Sequence, residues 1–138
     1  MKTVLFACIH NAGRSQMAAA WFNALVDKTQ AQAISAGTEP GARVHPEVLQ
    51  AMREVGIDLD GVSPRKLTDE LARDSAILIT MGCGAQCPHI RGPRRLDWPL
   101  EAPKGKPVER VREIREEVKN LVMELLQAEG CLFSAARP

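Results

Sequence analysis

The sequence predicts a single α/β domain in which a parallel sheet lies between two layers of helices. Short runs rich in apolar and β-branched residues alternate along the chain with longer segments of helical periodicity, and this alternation is typical of parallel sheets covered on both faces. The chain has 138 residues, 45% of them hydrophobic, which is enough for one self-sufficient core. We therefore expect residues 1–138 to form one domain.

The apolar pattern and the turn residues place the individual elements. The segment 3–7 is apolar and predicts a buried strand, and the segment 14–28 carries apolar residues at helical spacing, which predicts a helix. Pro46 and Gly56 suit the first turn and the end of a further helix. Residues 127–138 are expected to be a flexible tail. In chain order, the sequence predicts strand 3–7, helix 14–28, strand 31–36, helix 45–55, a short helix 67–73, strand 75–81, a short strand 94–97 and helix 107–126.

Composition and charge exclude several classes of function. A net charge of +1, the lack of a basic block, and only three Phe, two Trp and no Tyr argue against a nucleic-acid surface. No apolar run approaches the ~20 residues that span a bilayer, and the first residues lead into a strand without a signal peptide. We expect a cytoplasmic monomer without nucleic-acid or membrane partners. In that compartment the four cysteines are expected to serve catalysis, redox chemistry or metal binding rather than structural disulfides.

The most informative segment joins the first predicted strand to the first predicted helix. It runs from Cys8 to Arg14 with Cys-x5-Arg spacing and continues into Ser15. Loop N–H groups, the positive end of a helix and an arginine side chain together hold a tetrahedral oxyanion against a thiolate. The same positive field favours the thiolate over the thiol, and Ser15 can donate to the sulfur. The oxyanion-binding residues expected here are Ile9, His10, Asn11, Ala12, Gly13 and Arg14.

A second Cys-x5-Arg spacing, from Cys131 to Arg137, shows that spacing alone is weak evidence. No strand precedes it, it contains no glycine, and the chain ends at Pro138. A motif indicates a function only in its structural context. We therefore interpret Cys131 as an incidental thiol in the tail.

Two further cysteines, Cys83 and Cys87, follow the predicted strand 75–81. Because the carboxyl ends of parallel strands lie on one edge of the sheet, both cysteines are expected near Cys8. Three thiols at one site permit a thiol–disulfide relay. Two alternatives stay open, namely a zinc site that includes His89 but lacks a fourth ligand, and two unrelated buried cysteines. We expect no metal.

With these motifs, the chain resembles the low-molecular-weight protein tyrosine phosphatase superfamily, and within it the arsenate reductases that share the fold. The strongest piece of the likeness is the run CIHNAGRSQMA, which begins at Cys8. Further pieces are ISAGT from Ile34, VGID from Val55, and the segment with Cys83 and Cys87. The resemblance implies a three-layer α/β/α fold with a four-stranded parallel sheet.

The resemblance also implies roles for individual residues. Cys8 would attack arsenate while Arg14 holds the oxyanion and Asn11 braces the loop. Cys83 would attack the Cys8–arsenic adduct, release arsenite and leave a Cys8–Cys83 disulfide. Cys87 would then form a Cys83–Cys87 disulfide for an external thiol reductant, which is either thioredoxin or a small-thiol or glutaredoxin system. No bound cofactor is implied.

The general acid of the family, an aspartate before a proline, has no clear counterpart in this chain. Aligned on Trp98, the expected position falls on Ala102. Glu101 or Asp97 are the candidates to donate a proton instead. Each is equally well explained as a solvated loop carboxylate.

These observations lead to one leading hypothesis and two alternatives. The leading hypothesis is an arsenate reductase that serves arsenic detoxification. The first alternative is a small phosphatase that hydrolyses phosphomonoesters through a phosphocysteine at Cys8. The second is a non-enzymatic binder of oxyanions or arsenite.

Overall fold

The computed structural model describes residues 1–82 and 93–132. Helices connect or flank strands that all pair in parallel within these ranges, which confirms the α/β class. No helix there is long and apolar enough to cross a membrane. The elements are β1 Lys2–Cys8, α1 Arg14–Leu25, β2 Ala31–Gly37, α2 Pro46–Arg53, α3 Asp69–Arg73, β3 Ile77–Thr80, β4 Arg94–Asp97 and α4 Val108–Glu129.

The four strands form one parallel sheet in the order β2-β1-β3-β4. The chain leaves β1 towards one side to form β2 and returns to the other side to form β3, so the strand order reverses at β1. In parallel sheets, ligands bind outside the carboxyl ends of the strands at such a reversal. Here β1 ends with Cys8 opposite Gly37 of β2, and Ala7 pairs with Thr80 of β3.

The side chains of β1 alternate between two cores, which makes the three predicted layers. Val4, Phe6 and Cys8 face the larger core, which includes buried residues of α1, α2 and α4. Leu5 and Ala7 face the smaller core on the other side, to which α3 and the segment before it contribute. This period of two is the expected consequence of strand geometry.

Helix α1 is shorter than the sequence pattern predicts. It ends at Leu25 because Val26 is extended (φ −77°, ψ 151°) and forms an antiparallel bridge with Leu132. The predicted end at residue 28 was wrong because apolar periodicity does not register a pairing with a distant part of the chain.

The expected tail is folded over residues 127–132, and the prediction is wrong there. Helix α4 continues to Glu129 and ends at Gly130, whose φ of 68° gives the left-handed cap that glycine favours. Cys131 N donates to Leu126 O over 2.9 Å. Cys131 and Leu132 are both 4% exposed, so Cys131 is a buried core thiol and does not lie in a loose tail. Residues 133–138 lie outside the described ranges.

Candidate active site

The loop between β1 and α1 closes around the sulfur of Cys8. Its carbonyl groups accept from the chain that follows β2: Thr38 N donates to Cys8 O (3.2 Å), Glu39 N to Ile9 O (2.8 Å), Gly41 N to His10 O (2.9 Å) and His45 N to Ala12 O (3.0 Å). In a trans peptide the N–H points opposite to the carbonyl. The loop amides therefore face inward, and Asn11 N donates to Cys8 Sγ over 3.3 Å. The loop thus has the geometry of an anion cradle.

Cys8 lies at the end of a chain of buried side-chain hydrogen bonds. Its sulfur is 2.9 Å from Ser15 Oγ, and Asn11 Nδ2 donates to the same oxygen over 2.8 Å. Because an amide nitrogen is only a donor, Ser15 Oγ accepts from Asn11 and keeps its own proton for the sulfur. A charge-assisted hydrogen bond of this kind stabilises a thiolate.

The orientation of the Asn11 side chain is fixed by donors that sequence reasoning missed. Arg65 N donates to Asn11 Oδ1 over 2.9 Å, and Gln16 Nε2 donates to Asn11 O (3.0 Å) and Oδ1 (3.2 Å). A backbone N–H is only a donor, so Oδ1 faces Arg65 and Nδ2 faces Ser15. Asn11 itself has a positive φ of 51°, which asparagine tolerates better than most residues. Gln16 is a polar residue on the predicted apolar helix, and that was the available signal.

Gly37 permits the close approach of this loop to β2. An added Cβ at Gly37 would lie 2.5 Å from Ile9 O and 2.9 Å from Asn11 N. Only a residue without a side chain leaves this space to the backbone of the loop. The ISAGT segment of the sequence therefore shapes the anion loop from outside.

The guanidinium of Arg14 lies between two other segments of the site. Its Nη1 donates to Leu100 O over 2.8 Å. On the other side, Gly82 has a φ of 87°, and an added Cβ there would collide with Arg14 Nη1. Arg14 is thus held at the edge of the loop, where it can reach a bound oxyanion.

The chain after β3 runs beside the Cys8 loop. Met81 N donates to Ala7 O over 2.8 Å, and the next residue, Gly82, contacts Arg14. The segment after β3 was expected to lie beside the Cys8 loop at this edge of the sheet, and it does so as far as Gly82. Cys83 and Cys87 lie outside the described residues, as does His89.

A cavity of about 270 Å³ opens at Cys8. Its lining combines most of the loop from Cys8 to Arg14 with His45, Ala102, Pro103 and Lys104. Burial, the largest effect, lowers the pKa of His45 from its ordinary 6.5; Lys104 and His10 lower it further, and Glu47 opposes them. The sequence indicated only a helix start at His45.

The structure does not place the two candidate general acids in this cavity. The hydrogen bond from Arg110 Nε to Glu101, at 2.9 Å, lowers the pKa of that carboxyl, so Glu101 is a poor proton donor at neutral pH. Asp97 Oδ1 instead accepts from Thr80 Oγ1 at 2.7 Å. Ala102, the position where the resemblance expects the acid, does line the cavity. Within 1–82 and 93–132, no carboxylate is among the lining residues.

The described ranges hold no group of three or more His, Cys, Asp or Glu side chains arranged to bind a metal ion. The Cys83, Cys87 and His89 alternative considered for zinc lies outside those ranges.

Comparisons with known proteins agree with this fold. A family model described as low molecular weight phosphotyrosine protein phosphatase matches residues 3–130. A glutaredoxin arsenate reductase of Synechocystis sp. is 36% identical over 129 residues, which cover 91% of this chain and 97% of the relative. A solved arsenate reductase in the phosphate binding state superposes with a TM-score of 0.83 at 35% identity, covering 93% of this chain and 98% of its own. A thioredoxin-dependent arsenate reductase of Corynebacterium glutamicum gives 0.79 at 38% identity over 93% of this chain, which spans 61% of that longer chain.

Proposed function

The chain belongs to the low molecular weight phosphotyrosine protein phosphatase family, and we propose that it is an arsenate reductase with Cys8 as its nucleophile. The observation that carries the proposal is the position of Cys8 Sγ, which lines the cavity and is 2.9 Å from Ser15 Oγ and 3.3 Å from Asn11 N. A thiolate placed in this way faces an oxyanion held by the loop and Arg14. The arsenate reductases among the relatives support arsenate as that oxyanion.

The first step is displacement of one arsenate oxygen by the Cys8 thiolate. An S–As bond forms, the As–O bond to an arsenate hydroxyl group breaks, and the leaving hydroxyl takes up one proton and departs as water. Arg14 and the inward N–H groups of the loop offset the charge on the remaining oxygens. Arsenic is still As(V) in the adduct.

In the second step the thiolate of Cys83 attacks the sulfur of Cys8. An S–S bond forms and the S–As bond breaks, and its electron pair stays on arsenic, which leaves as arsenite, As(III). The two cysteines lose this pair of electrons to arsenic and are thereby oxidised to one disulfide. Gly82, which precedes Cys83 in the sequence, lies beside Arg14, and this position supports Cys83 as the attacking thiol.

Cys87 then attacks Cys83, which frees the Cys8 thiolate and leaves a Cys83–Cys87 disulfide. An external thiol system, either thioredoxin or a glutaredoxin or small-thiol system, reduces that disulfide. The names of the Synechocystis and Corynebacterium relatives support both kinds of reductant. Such exchange requires a reducing compartment, so a cytoplasmic location belongs to the proposal.

The test is arsenite formation from arsenate with the reductant in excess. Cys8→Ser is expected to abolish it, Cys83→Ser to stop before arsenite release, and Cys87→Ser to give a single turnover. Cys131→Ala is the matched control and is expected to keep the wild-type rate, because Cys131 is buried away from the cavity, with Sγ 3.4 Å from Glu129 O. Sustained turnover by Cys83→Ser would exclude the relay.

Phosphomonoester hydrolysis is the second candidate function, because phosphate has the shape and charge that this loop recognises. It predicts turnover of aryl phosphates that needs Cys8 and is indifferent to Cys83 and Cys87. Ala102 in the cavity lining argues against efficient hydrolysis, since the leaving aryl oxide needs a proton donor. A protein that only binds oxyanions would show binding without turnover under any reductant.

A further inference from the structure

The proposed attack on arsenate requires a proton donor that the described carboxylates do not supply. The leaving oxygen is opposite the attacking Cys8 Sγ in an in-line displacement, so it points from the sulfur into the cavity. Of the residues described, no Asp or Glu lines that cavity, and Glu101 is held in its charged form by Arg110. Among the described residues, the candidate proton donors are then the other titratable groups of the lining.

The titratable side chains of the lining, apart from Cys8 itself, are those of Arg14, His10, His45 and Lys104. Arginine and lysine hold their protons too tightly for transfer near neutral pH, whereas histidine titrates in that range. The ring of His10 is exposed and its Nδ1 lies 3.0 Å from Glu39 O, so one ring nitrogen already has a partner. Within residues 1–82 and 93–132, the ring of His45 is therefore the best placed donor.

His45 is fixed beside the cradle by its own backbone. Its N–H donates to Ala12 O in the anion loop over 3.0 Å, and it precedes Pro46 at the start of α2. The ring is half-buried, and its Cδ2 lies 3.6 Å from the point that a Cβ on Gly13 would occupy. Within residues 1–82 and 93–132, neither ring nitrogen has a hydrogen-bond partner, so both remain available to a bound ligand.

We propose that His45 donates the proton to the oxygen that leaves arsenic, in place of the aspartate that the sequence lacks at Ala102. The ring N–H bond breaks as the As–O bond breaks, water departs, and the neutral imidazole regains its proton from solvent. This inference rests on the proposed arsenate reduction and names the residue that completes its first step.

The charges around His45 make its protonation depend on the anion. Burial lowers its pKa below 6.5, Lys104 and His10 lower it further, and Glu47 raises it. The positive end of α2 acts in the same direction as Lys104, and the positively charged Arg14 lines the same cavity. A bound oxyanion has the opposite effect, because its negative charge favours the imidazolium. In the empty cavity these effects disfavour the charged form of His45, and an arriving oxyanion favours it.

The experiment compares arsenite formation by wild type and His45→Gln at low arsenate concentration across pH 5 to 8. Glutamine has a similar polar group but transfers no proton, and general acids typically contribute about 100-fold or more. We expect a deficit of about 100-fold at the acidic end, shrinking as pH rises, because the wild-type advantage requires protonated His45. Taking the ratio of the two enzymes cancels the ionisation of arsenate and of Cys8.

Three further variants sharpen the result. Glu47→Gln removes the charge that favours protonation, so the wild-type advantage is expected to disappear at a lower pH than in the parent. Glu70→Gln removes a matched first-turn carboxylate from α3, which packs on the other face of the sheet, and is expected to leave the profile in place. In His45→Asn, we measure whether inorganic phosphate still protects Cys8 from iodoacetamide. Such protection shows that the anion loop is intact.

Several outcomes would overturn the proposal. One is a rate of arsenite formation in His45→Gln that is lower than wild type by the same factor at every pH. Another is a wild-type rate in both His45 variants, and the third is a pH-dependent loss of rate in His10→Gln instead. If phosphate protects Cys8 of the wild type from alkylation but the wild type forms no arsenite from arsenate, the proposed reduction is overturned, and this inference with it. Arsenite formation by wild type with a pH-independent ratio would leave the reduction standing and exclude His45 as the acid.

Discussion

Asn11 holds the polar atoms around Cys8 in one arrangement. Its Oδ1 accepts from the backbone of Arg65 and its Nδ2 donates to Ser15, which directs the Ser15 hydroxyl proton to the sulfur. Every member of this chain except the sulfur has a partner that determines its donor or acceptor role. The thiolate of Cys8 is thus stabilised by bonds that exist before any substrate binds.

Removing the Ser15 hydroxyl is expected to take a hydrogen-bond donor away from the Cys8 sulfur and to slow its reactions. A hydrogen bond to a charged group contributes about 1.5–3 kcal/mol, so Ser15→Ala is expected to slow alkylation of Cys8 by iodoacetamide about 10-fold at neutral pH. Ser75→Ala is the matched control, because the buried Ser75 hydroxyl donates to Leu71 O over 2.9 Å, on another part of the fold. Equal alkylation rates in the two variants would contradict the role of Ser15.

The absence of a side chain at Gly82 leaves space for the Arg14 guanidinium. This effect can be tested separately from the backbone strain at Gly82. Gly82→Ala places a Cβ against the guanidinium, whereas Gly56→Ala, at a nearly equal φ of 82°, meets nothing within 4 Å. Both variants carry the strain of a positive φ, about 1 kcal/mol or more. Only Gly82→Ala is expected to weaken phosphate binding, by about 10-fold if one charged hydrogen bond is lost.

The measurement for this pair is protection of Cys8 from alkylation by increasing inorganic phosphate. Melting temperatures report the shared cost of the strained backbone. The same phosphate affinity in both glycine variants would show that Arg14 does not depend on the space at Gly82.

At the scale of elements, α2 and α4 are joined by a cluster of ion pairs around Glu54. Arg112 Nη2 donates to Glu54 Oε2 over 2.7 Å, and Arg115 Nη1 donates to Glu54 Oε1 over 2.9 Å. Arg115 also donates to Ala51 O, and its side chain is only 12% exposed. These ion pairs connect the C-terminal end of α2 to α4. His45 lies at the N-terminal end of α2.

The pH dependence of this cluster follows from the pKa of Glu54. The hydrogen bond from Arg112, the largest effect, lowers that pKa from 4.5 to about 2. The stabilisation is present above pH 4.5 and is lost as the pH falls from there towards 2, because the unfolded state then binds the proton first. Glu54→Gln is expected to melt a few degrees below wild type at pH 7, with the difference disappearing in acid.

Glu124→Gln, which neutralises an exposed glutamate on α4, serves as the control. Its melting temperature is expected to equal that of wild type at both ends of the pH range. Thermal melts followed by circular dichroism across pH 2.5 to 7 provide the comparison. A Glu54→Gln deficit that persists unchanged in acid would mean that packing, and not charge, joins the two helices.

At the scale of the whole molecule, the chain beyond α4 returns to the start of the fold. Asp27 N donates to Cys131 O over 2.6 Å, and Leu132 bridges Val26. Two residues before Cys131, Glu129 accepts from Lys2 of β1 (3.0 Å) and from Arg94 of β4 (2.7 Å). The end of α4 therefore fastens the first strand, the edge strand and the end of α1 together.

Leu132 is expected to contribute to stability although it follows the last helix. Leu→Ala substitutions at buried sites cost about 2–5 kcal/mol, and Leu132 is 4% exposed. Leu132→Ala is therefore expected to lower the free energy of unfolding in urea by about 3 kcal/mol. Leu121→Ala, at a half-buried position on α4, is expected to cost less, and an equal or smaller loss in Leu132→Ala would show that this segment is not part of the core.

The sequence by itself determined the features that depend on neighbouring residues. The loop from Cys8 to Arg14 and the helical period of α4 are local patterns, and so is the short strand at Arg94–Asp97. Local geometry decides them, because hydrogen bonds of a helix and the spacing of a loop involve residues close together in the chain. The family resemblance rests on the same local runs.

The tertiary structure alone decided which distant residues share the cavity. Strand order brings Gly82 to Arg14, and the chain after β2 brings His45 to the anion loop. The amide of Arg65 orients Asn11 from 54 positions away, and no periodicity of the sequence records such a meeting. For the same reason Cys131 was predicted to be in a loose tail and is buried, because its partner at Asp27 lies at the opposite end of the chain.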